Sequence, residues 1–575
     1  MFYRWVQRNT GRPAEEPPEG MDPLIWRVLQ NRGVPAGGVE AFLNPSVEQL
    51  HDPSLLRNAD LAAQRIARAL RDRETLLIHG DYDVDGVSAL ALLYRNLKAL
   101  GAHQVIPYIP DRFDEGYGVS RQGIDRALEA GARLVITVDC GIKAHEEVAY
   151  ALEHGLEVIV TDHHEPGEPL PFPTLVLNPK LGEYPFAELA GVGVVFKLLQ
   201  ALYRHLGQPE TRLLWDLDLV ALGTIADQVP LVDENRVLAA LGLKVLARTK
   251  KAGLKALKQI VGLRDAVDAW HVAFLLAPRL NAAGRMTHAQ QAFQLLTTTE
   301  GLKALELAQA LDAQNRERQK IEQETVAQAA ERIEAEGWHL DPILVVEGEG
   351  WHEGVIGIVA SRLTERYWRP ALVIALQGEE GKGSARSIPG FHLYRALAAQ
   401  EDLFESFGGH TMAAGFRIRR HRIPELRERL KAYAADHLAP DDLVPWFLVD
   451  GEVNPEDLES LDLDLYRRLA PFGMGNPTPV FLLRGVRIVG QVKQVGQDHL
   501  VFTVERRGRH FRVFAPRAGW LQDLLRHHVP VQADLAVTVE EDRYSRNRRV
   551  RLKLRDLRIH WTSPPASQGL LPPAR

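Results

Sequence analysis

TLLIHGDYDVDGVSAL, residues 75–90, sets Asp81, Asp83 and Asp85 in alternation and follows them with Gly86. A calcium loop of the EF-hand type begins this way. Its twelfth position requires a bidentate glutamate, however, and counting from Asp81 that position is Leu92. The residues before the aspartates, ETLLIH, also read as a strand where an EF-hand has a helix. A plainer alternative is a polar loop capping a helix, with Asp85 as the N-cap. A cap accounts for one carboxylate, but three packed beside His79 repel one another unless a cation sits among them. The stretch is therefore read as a strand end that delivers metal ligands.

Outward from it, the apolar runs QVIPYIP, RLVITVD, EVIVT and TLVLN alternate with the helical stretches GVSALALLYRNLKALG, SRQGIDRALEAG and KAHEEVAYALEHG. Strands apolar on both faces, separated by helices, predict an α/β fold with a parallel sheet covered by helices. Asp139 closes RLVITVD, Asp162, His163 and His164 close EVIVT, and Asp227 follows LDLVALGTIA. Ligands of open parallel sheets bind beyond the carboxyl ends of the strands. His79, Asp83, Asp85, Asp139 and His163 are thus expected on one rim. Carboxylate oxygen mixed with imidazole nitrogen suits Mn2+, with Mg2+ the alternative, and the lack of thiolates argues against structural zinc. So many ligands exceed the needs of one ion; two divalent ions sharing a carboxylate, about 3.5–4 Å apart, are the economical arrangement.

With 575 residues the chain should hold several domains. Its composition, 45% hydrophobic and 25% charged, is that of an ordinary soluble protein. The single cysteine, Cys140, excludes an internal disulfide and a thiolate cage. The N-terminus lacks the apolar core of a signal peptide, and no apolar run reaches ~20 residues, so a cytoplasmic protein with no membrane association is expected. The net charge of −6 does not advertise a nucleic-acid binder. Basic residues nevertheless cluster late, at Arg506, Arg507, Arg509 and Arg512, then at Arg543, Arg546, Arg548, Arg549, Arg551, Lys553 and Arg555. The expected organisation is an N-terminal segment (1–55), the sheet domain (56–300), a long connecting helix (301–337), a second α/β domain (338–440), an OB-like β-barrel (445–560) and a disordered tail (561–575).

HGDYDVDG, followed by VDCG, TDHH and ADQVPL, resembles the DHH phosphoesterase superfamily. Within it, PRLNAAGRM, GSARSIPGFHL, FGGHTMAAGF and PFGMGNPTPVF look like the RecJ family of single-strand-specific exonucleases, in the family's order over roughly residues 20–555. The resemblance implies a catalytic DHH domain, a connecting helix, a DHH-associated domain and an OB fold. It implies one metal site at His79, Asp83 and Asp139 and a second at Asp85, Asp139, His163 and Asp227, with Asp139 bridging. His164 would lie near the scissile phosphate, while Asp81 and Asp162 would orient ligands through hydrogen bonds. Substrate handles would be Arg112, Arg279 and Asn281, Ser384 and Arg386 for a 5′-phosphate, and Gly408, Gly409 and His410.

Several of these segments have simpler readings. FGGHTMAAGF alone is a turn, and an isolated arginine such as Arg279 is commonly a solvated surface group. AGVGVVFKLL, residues 190–199, does not fit GxGxxG and reads as a tightly packed helix start. The late arginines, with Phe502, Phe511 and Phe514 for stacking, suit a barrel that tracks a single strand; half-buried strands with core phenylalanines would look the same. The resemblance implies 5′→3′ hydrolysis of single-stranded DNA to 5′-mononucleotides in recombination and repair, with a helicase and a single-strand-binding protein as partners. The rival readings are a DHH phosphodiesterase of dinucleotides or pyrophosphate, for which a long positive track is superfluous, and a scaffold without metals, for which ligand positions should be replaced. Here every proposed ligand position carries a competent side chain. A barrel that only binds nucleic acid leaves the sheet domain unexplained.

Overall fold

The computed structural model describes residues 3–8, 15–116, 118–167, 169–171, 174–264, 266–522, 525, 531–542 and 550–560. Arg543, Arg546, Arg548, Arg549 and the tail 561–575 lie outside the described residues. The chain divides into two units. One comprises Gly38–Arg318 with Arg467–Pro477, and the other comprises Met1–Gly37, Gln319–Tyr466 and Thr478–Arg575.

The first unit is built on an all-parallel sheet of β1 (Thr75–His79), β2 (Gln104–Tyr108), β3 (Leu134–Val138), β4 (Glu157–Thr161) and β5 (Leu175–Leu177), in the order β2-β1-β3-β4-β5. Its helices include α1 (Ala59–Arg71), α2 (Val84–Ala99), α3 (Arg121–Glu129), α4 (His145–Glu153), α5 (Gly191–His205), α6 (Leu217–Ala226), α7 (Asp233–Ala247) and α8 (Ala277–Met286). Alternate strand residues go to opposite faces. Leu76, Ile78, Ile136 and Val138 join the core with α1, α2, α5 and α6, whereas Leu77, Val135 and Val160 pack with Ile124 of α3 and Val148 of α4. Both faces are covered, which is why β1, β3 and β4 carry runs of consecutive apolar residues rather than apolar residues at every second position. Helix α6 is buried from Leu217 to Ile225 and has no polar stripe. The strand order reverses direction between β1 and β3, and a crevice opens at such a switch point.

α9 (Gly301–Ala335) is one uninterrupted helix, as the breaker-free sequence predicts. In the second unit a mixed sheet comprises β6 (Leu344–Glu349), β7 (Ala371–Gln377), β8 (Glu380–Arg386), β9 (Phe404–Gly409) and β10 (Ala413–Arg419), ordered β9-β10-β8-β7-β6. GSARS supplies the end of β8, and FGGHTMAAGF forms the β9–β10 hairpin. Five further strands, β11 (Phe481–Val495), β12 (His499–Arg506), β13 (Arg509–Ala515), β14 (Val531–Glu541) and β15 (Val550–His560), run in the order β11-β12-β13-β15-β14, and β14 pairs back onto β11 to close a barrel. The strand Arg4–Gln7 pairs in parallel with Trp446–Val449, so the chain's start belongs to this unit.

Candidate metal centre

β1 ends at His79, and the chain turns through Gly80–Tyr82 into α2. Asp83 is the N-cap of that helix, its carboxylate accepting from the Gly86 N–H at 3.0 Å. The cap is therefore Asp83 and not Asp85, which lies in the first turn with its side chain directed elsewhere. Asp85 accepts from the N–H groups of Gly191 (2.6 Å) and Val192 (3.0 Å) at the start of α5. AGVGVVFKLL is a tight helix start, as read, but its N–H groups also hold a carboxylate of the aspartate motif, which composition could not reveal. Asn281 of α8 accepts from the Val84 N–H at 3.1 Å and so braces the same motif.

Asp139 follows β3 with φ of +62°, a left-handed conformation rare for a side-chain-bearing residue, and its N–H is tied to the Thr161 carbonyl at 3.0 Å. This turn brings its carboxylate back over the sheet end. His163 Nε2 then lies 3.2 Å from Asp139 Oδ1, 3.6 Å from Asp227 Oδ2 and 3.9 Å from Asp85 Oδ2. Three sets of donor atoms fall within 4.8 Å of one another: Asp139 with His163 and His164, Asp85 with His163 and Asp227, and Asp81 with Asp83 and Asp139. Asp139 belongs to two of them, the position a shared ligand would take. Asp81 sits in the third set, closer to the ligand-forming groups than an orienting residue alone would be. His79 is in none. Its Nε2 accepts from the Ser120 N–H at 3.2 Å, and its Nδ1 is buried with no hydrogen-bond partner.

Asp162 does not join these sets. Its Oδ1 accepts from the N–H groups of His163 (2.7 Å) and His164 (3.1 Å) and pairs with His164 Nδ1 at 2.7 Å, while Oδ2 accepts from Ile142 N–H at 2.9 Å. It locks the two histidines in place. Arg112 stacks over Tyr82 of the motif at 5.1 Å. Arg279 is engaged by Asp312 at 2.8 Å, so its guanidinium is committed inside the unit.

Close approach depends on glycine. A Cβ at Gly191 would meet Asp139 Oδ1 at 2.4 Å, at Gly223 Asp85 Oδ1 at 2.6 Å, at Gly86 the Asp81 Cβ at 2.6 Å, and at Gly123 the His79 Cδ2 at 2.5 Å. Gly123, Gly191, Gly223 and Ser120 are the site residues that sequence reasoning missed, because the groups they accommodate lie far away in the chain.

The electrostatics fit cations. Burial first, then repulsion from Asp85, Asp83, Asp227 and Asp81, pushes Asp139 well above the usual carboxylate range. Burial and neighbouring aspartates likewise raise Asp85 to about 7 and Asp227 to about 9. Burial lowers His163 to about 3 and His79 to about 4, so both rings are neutral. Burial opposes the charge of His164, but the Asp162 carboxylate outweighs it and raises that imidazole. Asp139 Oδ1, Asp81 Oδ1, His163 Nε2 and His79 Nδ1 are all buried without a hydrogen-bond partner. Neutral imidazoles, crowded carboxylates and orphaned donor atoms are the chemistry of a divalent-metal site without thiolates. Cys140 is buried and its thiol is held protonated by burial and adjacent carboxylates, which leaves it no role as a nucleophile.

In the second unit, Ser384 and Arg386 lie together on β8, with Arg386 Nη1 donating to Ser384 Oγ at 3.3 Å. Both approach Gly357 in the first turn of α10 (Ile356–Tyr367), where a Cβ would stand 3.0 Å from Ser384 Oγ and 3.2 Å from Arg386 Nη2. Gly408 and Gly409 end β9, and His410 opens the exposed hairpin turn. In the barrel, Phe502 and Phe511 are buried core residues, which corrects the expectation that they stack bases. Phe514 is half-buried with Arg551 5.6 Å from its ring. Arg507 and Arg509 pair with Glu456, Arg509 also with Glu459, and Arg551 and Lys553 with Glu540. Arg512 and Arg555 are exposed and meet no carboxylate among the described residues.

A parallel sheet with carboxylates and histidines gathered at its switch point defines the DHH class, and the model of the DHH family N-terminal domain matches residues 75–224. The DHHA1 domain model matches 340–436 and the RecJ OB domain model 449–556. The single-stranded-DNA-specific exonuclease RecJ of Bacillus subtilis is 42% identical over 510 residues, 87% of this chain and 64% of the relative's length. RecJ of Salmonella typhimurium is 37% identical over 526 residues, 87% of this chain and 90% of that one. The crystal structure of RecJ from Thermus thermophilus in complex with Mn2+ superposes with a TM-score of 0.82 at 33% identity, covering 99% of this chain and 80% of that one. The chain belongs to the RecJ family of single-stranded-DNA-specific exonucleases.

Proposed function

We propose that the chain hydrolyses single-stranded DNA from the 5′ end, releasing 5′-mononucleotides, and that two divalent cations, Mn2+ or Mg2+, occupy the centre at the sheet rim. The observation that carries this reading is His163 Nε2 ringed by three carboxylates from different elements, with glycines clearing the space around them. One cation would be held by His79, Asp83 and Asp139, the other by Asp85, Asp139, His163 and Asp227, with Asp81 close enough to share in the first. Bound there, such ions supply Lewis acidity to a phosphodiester and lower the pKa of an attacking water.

The chain's own residues do the positioning. α5 N–H groups fix Asp85, and Asp162 fixes the rings of His163 and His164. Asp162 on Nδ1 favours the charged form of His164, whose Nε2 would then be a donor to a phosphate oxygen. Ser384, Arg386 and the α10 amino end suit a terminal 5′-phosphate, which supports the 5′ polarity. The exposed Arg512 and Arg555 of the barrel suit a strand backbone. Such an enzyme works in recombination and repair in the cytoplasm, alongside a helicase that exposes single strands and a protein that coats them. No described helix is long and apolar enough to cross a membrane.

The test is digestion of end-labelled strands with Mn2+, run beside duplex, RNA, dinucleotide and pyrophosphate. Mononucleotides appearing at once from the 5′-labelled single strand are expected. Progressive shortening from the 3′ end, or turnover of pyrophosphate alone, would overturn the reading.

A further inference from the structure

The first unit contains a cavity of about 710 Å3 away from the metal centre, at the amino end of α6. Asp227 follows the other end of that helix, which at 10 residues and about 1.5 Å per residue spans roughly 15 Å. A phosphate in the cavity cannot be the one at the centre.

Trp215, Asp216 and Asp218 line the cavity where α6 begins, and Lys244, Arg248, Lys250 and Lys251 line it where α7 ends. The acids are internally satisfied. Lys251 Nζ reaches Asp218 at 2.7 Å, Asp216 at 2.9 Å and the Trp215 carbonyl at 2.7 Å; Thr249 Oγ1 donates to Asp218 at 2.6 Å and Asn96 to Asp216 at 3.1 Å. Arg95 adds a cation 3.8 Å from Asp216. Lys244, Arg248 and Lys250 remain, all exposed, and among the described residues none of the three meets a carboxylate. Three uncompensated cations around one cavity attract a multiply charged anion. The volume is that of a whole nucleotide rather than a lone phosphate. Trp215 is 73% exposed beside them, its backbone pinned by Lys251. An indole so presented is a stacking surface for a base.

We propose that this cavity is a second nucleotide site, which takes a nucleoside 5′-phosphate with its base on Trp215 and its phosphate among Lys244, Arg248 and Lys250. The nucleotide is either free or part of a single strand. The site stands on these residues alone and does not depend on the reaction at the metal centre.

The full chain, with EDTA present to prevent turnover, is titrated calorimetrically with dAMP, with inorganic phosphate and with a short oligothymidylate. The wild type is compared with K244Q/R248Q/K250Q and with W215A. For a free nucleotide, dAMP binding weakens about tenfold or more in both variants, while W215A leaves phosphate binding unchanged. For a strand, dAMP does not bind, but the oligothymidylate weakens in both variants. The slope of log affinity against log salt then falls by about 0.7 in the triple variant, the contribution of the one strand phosphate no longer neutralised. Equal binding of every ligand by wild type and variants, or binding of none, overturns the proposal.

Discussion

Asp139 is the residue on which the centre turns. Its positive φ aims its carboxylate at two donor sets, and the Thr161 carbonyl holds its N–H in that conformation. Asn tolerates the left-handed region better than Ala, so Asp139→Asn removes the charge with least disturbance of the backbone. Hydrolysis of single strands should fall by roughly 10²–10³-fold or more while strand affinity in EDTA stays within about twofold. Turnover near the wild-type rate would sink the shared-ligand role. The same cluster sets a pH dependence. Asp85 at about 7 and Asp227 at about 9 hold protons in the folded state that the unfolded chain has already released. The metal-free protein therefore loses stability as pH rises from the ordinary carboxylate range to about 9. Cations bind the ionised form, so the melting-temperature gain from Mn2+ should be larger at about pH 8.5 than at about pH 6. At a hundred times its Kd the ion contributes about 2.7 kcal/mol. A gain that shrinks with rising pH would contradict this charge arrangement.

At the scale of elements, helix starts organise the site. α2 begins on Asp83, and α5 begins against Asp85 and beside Asp139, so two helix amino ends, each favourable to negative charge, meet the aspartate-rich rim. Gly191→Ala should keep α5, because alanine is a good helix former, yet place a methyl against Asp139. Calorimetry should then show Mn2+ affinity reduced about 10–100-fold, the range for disturbing a group that supports a ligand. Unchanged affinity would mean the carboxylate moves aside freely. The segment PFGMGNP has a comparable explanation. Residues Arg467–Pro477 belong to the first unit, where the Leu231 N–H donates to the Met474 carbonyl at 2.8 Å and, just ahead of the motif, the Arg236 guanidinium donates to the carbonyls of Arg468, Leu469 and Ala470 and to that of Phe42. A motif that reads as a family mark thus serves as a clasp within the catalytic unit.

For the molecule as a whole, the strand-holding role proposed for the barrel rests on the charges its surface leaves exposed. Nearby glutamates neutralise several arginines of the late basic clusters, which leaves Arg512 and Arg555 of those clusters exposed and without a carboxylate among the described residues. Arg512→Gln with Arg555→Gln should weaken single-strand binding and reduce its salt slope by about 1.4, at about 0.7 for each phosphate neutralised. The rate of hydrolysis at saturating strand should be unchanged. A slope identical to wild type would remove the barrel's exposed face from the strand path.

Much of this protein was legible from residues alone. Apolar strands separated by helices imply a covered parallel sheet because both faces must be buried, and aspartates and histidines at strand ends imply one rim because parallel strands all end there. The late alternating strands likewise imply a barrel. Three things needed tertiary structure. Asp83 rather than Asp85 caps α2, since capping depends on where the chain first turns helical. AGVGVVFKLL serves the centre, since its partners Asp85 and Asp139 lie 106 and 52 residues away in the chain. Arg279, Phe502 and Phe511 turn inward, to an ion pair and to the barrel core. Sequence periodicity reports which face a residue shares with its neighbours; which distant carboxylate, carbonyl or void meets it is settled only when the elements pack.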